Sequence, residues 1–323
     1  MTPAPTGANG VLRVAAAQAR PVWLDAGATT DRVEALIEEA AQAGVGLLAF
    51  PETFLPGYPV WVCRTDGARF EDPRQKRAFA QYLAAAVEID GPEVARVCRA
   101  AARHGVFVYL GIAERCPAAG GGTVYCTLLA IDPEQGVVGA HRKLVPTHDE
   151  RLVWGRGDGH GLRTHSVGGV RTGGLSCWEN WMPQARHALY CEGEELHIST
   201  WPGAPAMTAD APRLVALEGR VYSLAASGLL SHEDIPEWFE FAREMRGEDA
   251  GFPFRGGSGI VGPDGRWVVG PVVGTEGLVI ADIELDRVRQ ERLSFDVAGH
   301  YARPDVFEVT VHRRRLSAGT FTE

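Results

Sequence analysis

Residues 44–52 read GVGLLAFPE, a short apolar run that ends, beyond one proline, on a carboxylate. With no polar residue alternating through it, the run from 46 to 50 is a buried strand. Before it, Val33, Leu36, Ile37 and Ala40 recur at helical spacing within residues 29–43, which predicts an amphipathic helix, and residues 12–18 read as another strand. After it comes a loop rich in Pro and Gly. Helices follow over 73–87 and 92–104, then strands near 106–112, 123–131 and 137–142. Further on, the pattern predicts a strand at 170–176, a helix at 182–191, a strand at 196–200 and a helix at 211–226. Gly262-Pro263-Asp264-Gly265 is a strong turn signal that joins 259–261 to 267–269 as a hairpin. This alternation implies a covered sheet, and the class is α/β with some antiparallel pairing.

A chain of 323 residues has room for two ordinary domains or one large one. No long linker or fixed-period repeat divides it, so one domain is the simpler reading. The formal net charge is -9, and the only basic block is the short run Arg313-Arg314-Arg315, which argues against nucleic acid or an anionic membrane as partner. No apolar stretch reaches the eighteen or so residues of a membrane helix. The opening MTPAPTGANG lacks a basic n-region, so the expected location is the cytoplasm and residues 1–10 are expected to be disordered. Six cysteines with no C-x-x-C among them read as free thiols. There is no H-E-x-x-H, no Cys/His cluster at ligand spacing and no phosphate-loop motif, so neither a metal nor an organic cofactor is expected. Arg156-Gly157-Asp158 is given no role.

Of 32 basic side chains only Lys76 and Lys143 are lysines. A compact ammonium can donate a proton or sit against two carboxylates in a way that a planar guanidinium cannot, so each lysine merits scrutiny. Lys143, Glu52 and Cys177 all stand just past the end of a predicted strand. Loops at that edge of an α/β sheet converge on one crevice, so carboxylate, ammonium and thiol can share a pocket. Each alone has a commonplace reading, as a solvated Glu, an exposed Lys and a small buried hydrophobe. Together they make an activated nucleophile, in which the ammonium favours the thiolate and the carboxylate takes the displaced proton. The Trp178 backbone N–H could hold negative charge developing on an attacked C=O or C≡N group. Glu150 offers a second carboxylate for Lys143, although it could instead be a surface partner of Arg151.

Three blocks, FPETFLPGYPVW (50–61), HRKLVPTHDERLVWGRGDG (141–159) and GGLSCWENWMP (173–183), resemble the signature segments of the nitrilase superfamily, in order and at the expected spacing. The resemblance runs over nearly the whole chain, to GHYARPDVF (299–307), which is similar to the tail of the true nitrilase branch. It implies Cys177 as nucleophile, Glu52 as general base, Lys143 as proton donor and anion stabiliser, and Glu150 as a supporting fourth member. It further implies a four-layer α-β-β-α sandwich, with a carbon-nitrogen hydrolase domain at 11–285 and a tail at 286–323 lying at an oligomer interface. The oligomer would be a homodimer joined through helices, or a larger spiral. The implied activity is hydrolysis of a small-molecule organic nitrile to the carboxylic acid and ammonia through a thioimidate and a thioester.

The Trp-Glu-Asn that follows the cysteine is similar to nitrilases rather than to the amidase or carbamoylase branches. Ser176 and Trp181 depart from the commonest residues at their places and leave substrate preference open. Five of the eight tryptophans lie in or near the blocks, which favours an apolar pocket, with Tyr58, Trp61, Trp178 and Trp201 as candidate substrate contacts. His300, in the tail block, could be an interface residue or a contact behind the site. The alternatives are an amidase or N-carbamoyl amidase using the same four residues, an inactive scaffold that keeps the fold, and a Cys-His hydrolase of papain type.

Overall fold

The computed structural model describes residues 10–117, 120–247 and 254–319, so all but the last residue of the expected disordered segment 1–10 lies outside the described residues. Strand β1 (Val11–Gln18) leads into helix α1 (Ala26–Gln42), which starts where the Asp25 carboxylate accepts from the Ala28 N–H at 2.9 Å. Strand β2 (Leu47–Ala49) follows, then helices α2 (Pro73–Ala85) and α3 (Pro92–His104), each with proline in its first turn. Helix α3 ends where Gly105 turns left-handed at φ 68°. Strands β3 (Phe107–Arg115), β4 (Val124–Asp132) and β5 (Gly136–Arg142) form an antiparallel meander.

The second half repeats the design. It comprises β6 (His165–Val167), β7 (Val170–Ser176), α4 (Pro183–Cys191), β8 (Leu196–Trp201), α5 (Ala211–Gly219) and β9 (Tyr222–Ser227). The short helix α6 (Ala242–Met245) precedes the hairpin β10 (Gly256–Val261) and β11 (Trp267–Val273), and β12 (Gly277–Glu284) and α7 (Leu285–Glu291) close the domain. One six-stranded sheet has the order β12-β1-β2-β3-β4-β5 and the other β11-β10-β9-β8-β7-β6.

The two sheets pack face to face. Alternate residues of β1 show how: Val14 and Ala16 join Leu47, Leu128, Ile198 and Leu224 between the sheets, while Ala15 and Ala17 face Val33, Ile37, Val97 and Ala101 of α1 and α3. On the far side, Leu175 packs with Ala185 and Leu189 of α4, and Val215 of α5 with Tyr190. The result is the four-layer α-β-β-α sandwich.

One expected element is corrected. The helix foreseen over 211–226 ends at Gly219, and residues 222–227 are strand β9. Arg220 turns left-handed at φ 49°, and a Cβ on Gly219 would sit 2.3 Å from the Tyr190 ring, so α4 and α5 pack too closely for any other residue there. The released YSLAAS, wholly buried, pairs parallel to β8 and antiparallel to β10. Tertiary pairing thus overrides local helical periodicity.

The tail folds back on its own domain. Arg315 reaches the Ala140 carbonyl at 2.7 Å and the Asp158 carboxylate at 3.0 Å, and Asp158 also accepts from the Leu316 N–H at 2.8 Å. Asp158, given no role from sequence, is therefore one anchor of the C-terminal segment, beside Glu192, which pairs with Arg313 at 2.9 Å.

Gly111 of β3 fixes the height of the loop that carries Glu52, since a Cβ there would lie 2.2 Å from the Pro51 carbonyl oxygen and 2.6 Å from the Thr53 nitrogen. Gly111→Ala is expected to destabilise the fold by about 1–3 kcal/mol through overpacking, read as a lowered thermal midpoint, and to reduce turnover as Glu52 is displaced.

Candidate active site

Strands β2 and β5 of one sheet and β7 of the other end at a common edge, and the residues that follow them meet. Lys143 is fully buried, and its Nζ lies 2.8 Å from Glu52 Oε1 and 2.7 Å from Glu150 Oε2. The side-chain ligand atoms of Glu52, Glu150 and Cys177 all lie within 4.8 Å of one another. Among the described residues this is the one grouping of carboxylates and thiol with metal-ligand spacing, and the lysine ammonium already supplies the positive charge bonded to both carboxylates.

Local structure explains each placement. Glu150 sits in a single helical turn whose first residue is capped by Thr147, and its Oε2 accepts the Thr147 N–H at 2.6 Å while Oε1 accepts the Tyr58 hydroxyl at 2.8 Å. It is buried and does not pair with Arg151, which bonds the Pro146 carbonyl instead. Cys177 begins another such turn, capped by Ser176, in a left-handed conformation at φ 54°. For a residue with a side chain that conformation is strained, and it lifts the thiol toward the two carboxylates. Glu52 has one oxygen fully engaged: Oε1 takes Lys143 and the Cys126 thiol at 3.4 Å, while Oε2 is buried with no hydrogen-bond partner.

The electrostatics follow from burial. Desolvation, reinforced by the negative charge of Glu150, outweighs the attraction of Lys143 and pushes the Glu52 carboxyl up to about 7. Burial is also the main reason the Cys177 thiol stands well above its usual range, with Glu52 adding to it and Lys143 and the Trp178 N–H opposing. Burial works against charge on Lys143, but Glu52, Cys177 and Glu150 together hold it well above the ordinary lysine range. A thiol beside an ammonium, a poised carboxyl with a free oxygen and a backbone N–H can carry out acyl-type transfer with the proton passed locally.

A cavity of about 380 Å³ opens onto Cys177. Tyr58, Val60, Trp178, Pro202, Met207 and Phe254 give it a largely apolar lining. Of the aromatic candidates, Tyr58 and Trp178 therefore reach the cavity. Trp61 and Trp201 do not line it. Trp61 packs on Tyr82 and Phe239, and Trp201 is buried behind Cys177 with its indole N–H on Ser199 at 3.0 Å. Their size suited the core as well as a pocket, and only packing separates the two.

Glu179 was not singled out from sequence. Its buried carboxylate accepts the Leu144 N–H at 2.8 Å, the Ser176 N–H at 3.1 Å and His141 Nε2 at 2.9 Å, tying the residue after Lys143 to the residue before Cys177. Burial opposes its ionisation, yet His141 and the two N–H donors hold it below the usual carboxylate range. The Ser-x-x-Glu spacing of a capping box was the available signal. His300 lies by Tyr301 in the tail and does not line the cavity.

A two-sheet sandwich carries a buried Glu-Lys-Glu-Cys cluster at one edge, an arrangement suited to hydrolysis. The carbon-nitrogen hydrolase family model matches residues 13–292. The aliphatic nitrilase of Sinorhizobium fredii is 39% identical over 95% of this chain and 97% of its own length, and that of Rhodococcus rhodochrous is 36% identical over 96% and 85%. The bifunctional nitrilase/nitrile hydratase of rice is 37% identical over 96% of this chain and 87% of its own. Among solved structures, an amidase from Nesterenkonia superposes with a TM-score of 0.62 at 20% identity, covering 90% of this chain and 97% of that one, a likeness of fold. The chain belongs to the carbon-nitrogen hydrolase family, and within it to the nitrilase branch.

Replacing Glu179 by Leu strands the Leu144 and Ser176 N–H donors and the His141 ring N–H, and is expected to destabilise the chain by about 3–5 kcal/mol in a thermal or urea melt. Glu179→Gln retains an acceptor and should lose less; equal losses would show that the carboxylate does not hold the two loops.

Proposed function

We propose that the chain is a nitrilase, hydrolysing an organic nitrile to the carboxylic acid and ammonia, with Cys177 as nucleophile, Glu52 as general base, Lys143 as proton donor and Glu150 as the group that holds Lys143. The observation that carries this reading is the division of labour on Glu52, whose carboxylate clusters with the thiol: one oxygen is bonded to Lys143 and Cys126, and the other is buried and unpaired. Because burial keeps Cys177 protonated at neutral pH, the thiol proton passes to Glu52 Oε2 as sulfur attacks the nitrile carbon. The nitrile nitrogen takes a proton from Lys143 or from the Glu52 carboxylic acid, giving a thioimidate. Water then adds with Glu52 as base, the amino group of the tetrahedral intermediate is protonated and leaves as ammonia to give a thioester, and a second water releases the acid and restores the thiol. The same intermediate could instead expel sulfur and yield the amide, an outcome set by which leaving group is protonated.

The apolar cavity lining supports an uncharged substrate with an apolar organic part, with Tyr58 and Trp178 as contacts. Six cysteines, none in a disulfide, suit the reducing cytoplasm. No helix among the described residues is long and apolar enough to cross a membrane. Leu293, Tyr301, Val306 and Phe307, each more than half exposed along the tail, support contact between that segment and a second copy in a homodimer or larger assembly.

Ammonia release from phenylacetonitrile, benzonitrile, a short aliphatic dinitrile, cyanide and the matching amides tests the reading, with Cys177→Ala alongside. Nitriles should be turned over and the variant should be inactive; release from amides alone, or an active variant, overturns it. A general base must be unprotonated, so kcat/KM should fall below pH about 7, the value to which Glu52 is raised, approaching tenfold per pH unit well under it. Cys126→Ala removes a donor that favours the Glu52 carboxylate and should move that acid limb to higher pH.

A further inference from the structure

Behind the nucleophile lies a buried polar chain that the proposed chemistry does not use. Asn180, His197 and Glu194 are all fully buried. The Asn180 Nδ2 donates to the Cys177 carbonyl at 2.8 Å and to the Leu175 carbonyl at 3.3 Å. Its Oδ1 lies 2.8 Å from His197 Nε2, and His197 Nδ1 lies 2.9 Å from Glu194 Oε1. The backbone carbonyl of Asn180 is held separately by Arg186 at 2.8 Å. His197 pairs in register with Gly173 across β7 and β8, and a Cβ on Gly173 would lie 2.4 Å from Glu194 Oε1, so the strand is bare where the carboxylate sits.

The polarity of this chain is fixed by what each atom can do. Both carbonyls accept only, so the amide nitrogen of Asn180 must face them and its oxygen must face the imidazole. That oxygen accepts only, so His197 Nε2 must carry a hydrogen. Glu194 Oε1, 2.9 Å from Nδ1, closes the chain on the other side of the ring and holds it in place. A carboxylate that orients an imidazole, which in turn orients another group, is a known way to set ligand geometry behind a reactive atom.

We propose that Glu194, His197 and Asn180 form a positioning relay that holds the Cys177 main chain in its strained left-handed conformation, and so sets the direction of the thiol. The strain needs an external constraint, because a residue with a Cβ leaves φ 54° readily when nothing holds its carbonyl. Asn180 supplies it at the peptide that Cys177 shares with Trp178, the same peptide whose N–H faces the sulfur. None of the three touches the reacting atoms. The inference rests on Cys177 being the nucleophile, not on which substrate it attacks.

The test compares Glu194→Gln, Glu194→Leu, His197→Phe and Asn180→Leu for kcat, KM and the rate of Cys177 alkylation by iodoacetamide, with thermal midpoints as a check on folding. Glutamine can donate its amide N–H to Nδ1 and leave the hydrogen on Nε2, so Glu194→Gln should stay close to the unaltered chain. The other three should lower kcat and the alkylation rate together, by about 10–100-fold, with KM unchanged. Folded variants with full kcat and alkylation, a change confined to KM, or Glu194→Gln falling as far as Glu194→Leu would each overturn the relay. If the apolar variants do not fold, nitrogen-15 NMR of the unaltered chain decides: a protonated Nε2 on His197 supports the relay and a bare Nε2 overturns it. Alkylation needs no substrate, so the relay can fail while nitrile hydrolysis stands, or stand if no nitrile is turned over.

Discussion

A fully buried ammonium between two buried carboxylates is the constraint on which the rest of this structure depends. Taking Lys143 out of water costs several kcal/mol, and Glu52 and Glu150 at hydrogen-bond distance offset that cost. Glu52 stands on the loop after β2, while Lys143 and Glu150 share the connection after β5, so the ion cluster forms only once β3 and β4 bring those two strand ends into one sheet. Arginine, abundant elsewhere in the sequence, would not serve, because its planar fork cannot sit as a point charge between two carboxylates that must also leave one oxygen free.

The same burial sets the protonation of the cluster. Two carboxylates, one ammonium and a thiol cannot all hold their ordinary charges when buried side by side, and the carboxyl of Glu52 is the group that yields, rising to about 7. It is poised to take or give a proton near neutrality. Burial likewise holds the Cys177 thiol well above its usual range, so under the proposed chemistry its proton is transferred as the sulfur attacks. The geometry that makes this transfer short lies in two capped turns, at Thr147–Glu150 and Ser176–Glu179, and Glu179 ties the second to the strand end that carries Lys143.

Much of the fold was legible because its strands are either wholly apolar or bounded by Pro, Gly and helix caps. The 211–226 region was not, since a run of Leu, Val and Ala fits a helix or a buried strand equally well, and the helix ends at the left-handed Arg220, beyond which 222–227 pair with β8 and β10. Trp61 and Trp201 show the same limit at the site. A large aromatic near a motif is legible as buried, but whether it faces a cavity or a neighbouring ring depends on packing against Tyr82, Phe239 or Ser199.

By itself the sequence determined the α/β class and set Glu52, Lys143 and Cys177 just past strand ends, because those depend on local periodicity and on residue types that chemistry cannot exchange, while Glu150 was drawn in by the resemblance of its block to the nitrilase superfamily. Tertiary structure alone decided which oxygen of Glu52 is free, that Glu150 belongs to Lys143 and not to Arg151, and that Asn180, His197, Glu194 and Glu179 stand behind the reacting groups. Hydrogen-bond partners separated by many residues leave no periodic trace in a sequence. They exist only where two sheets close and force each buried polar atom to find a partner.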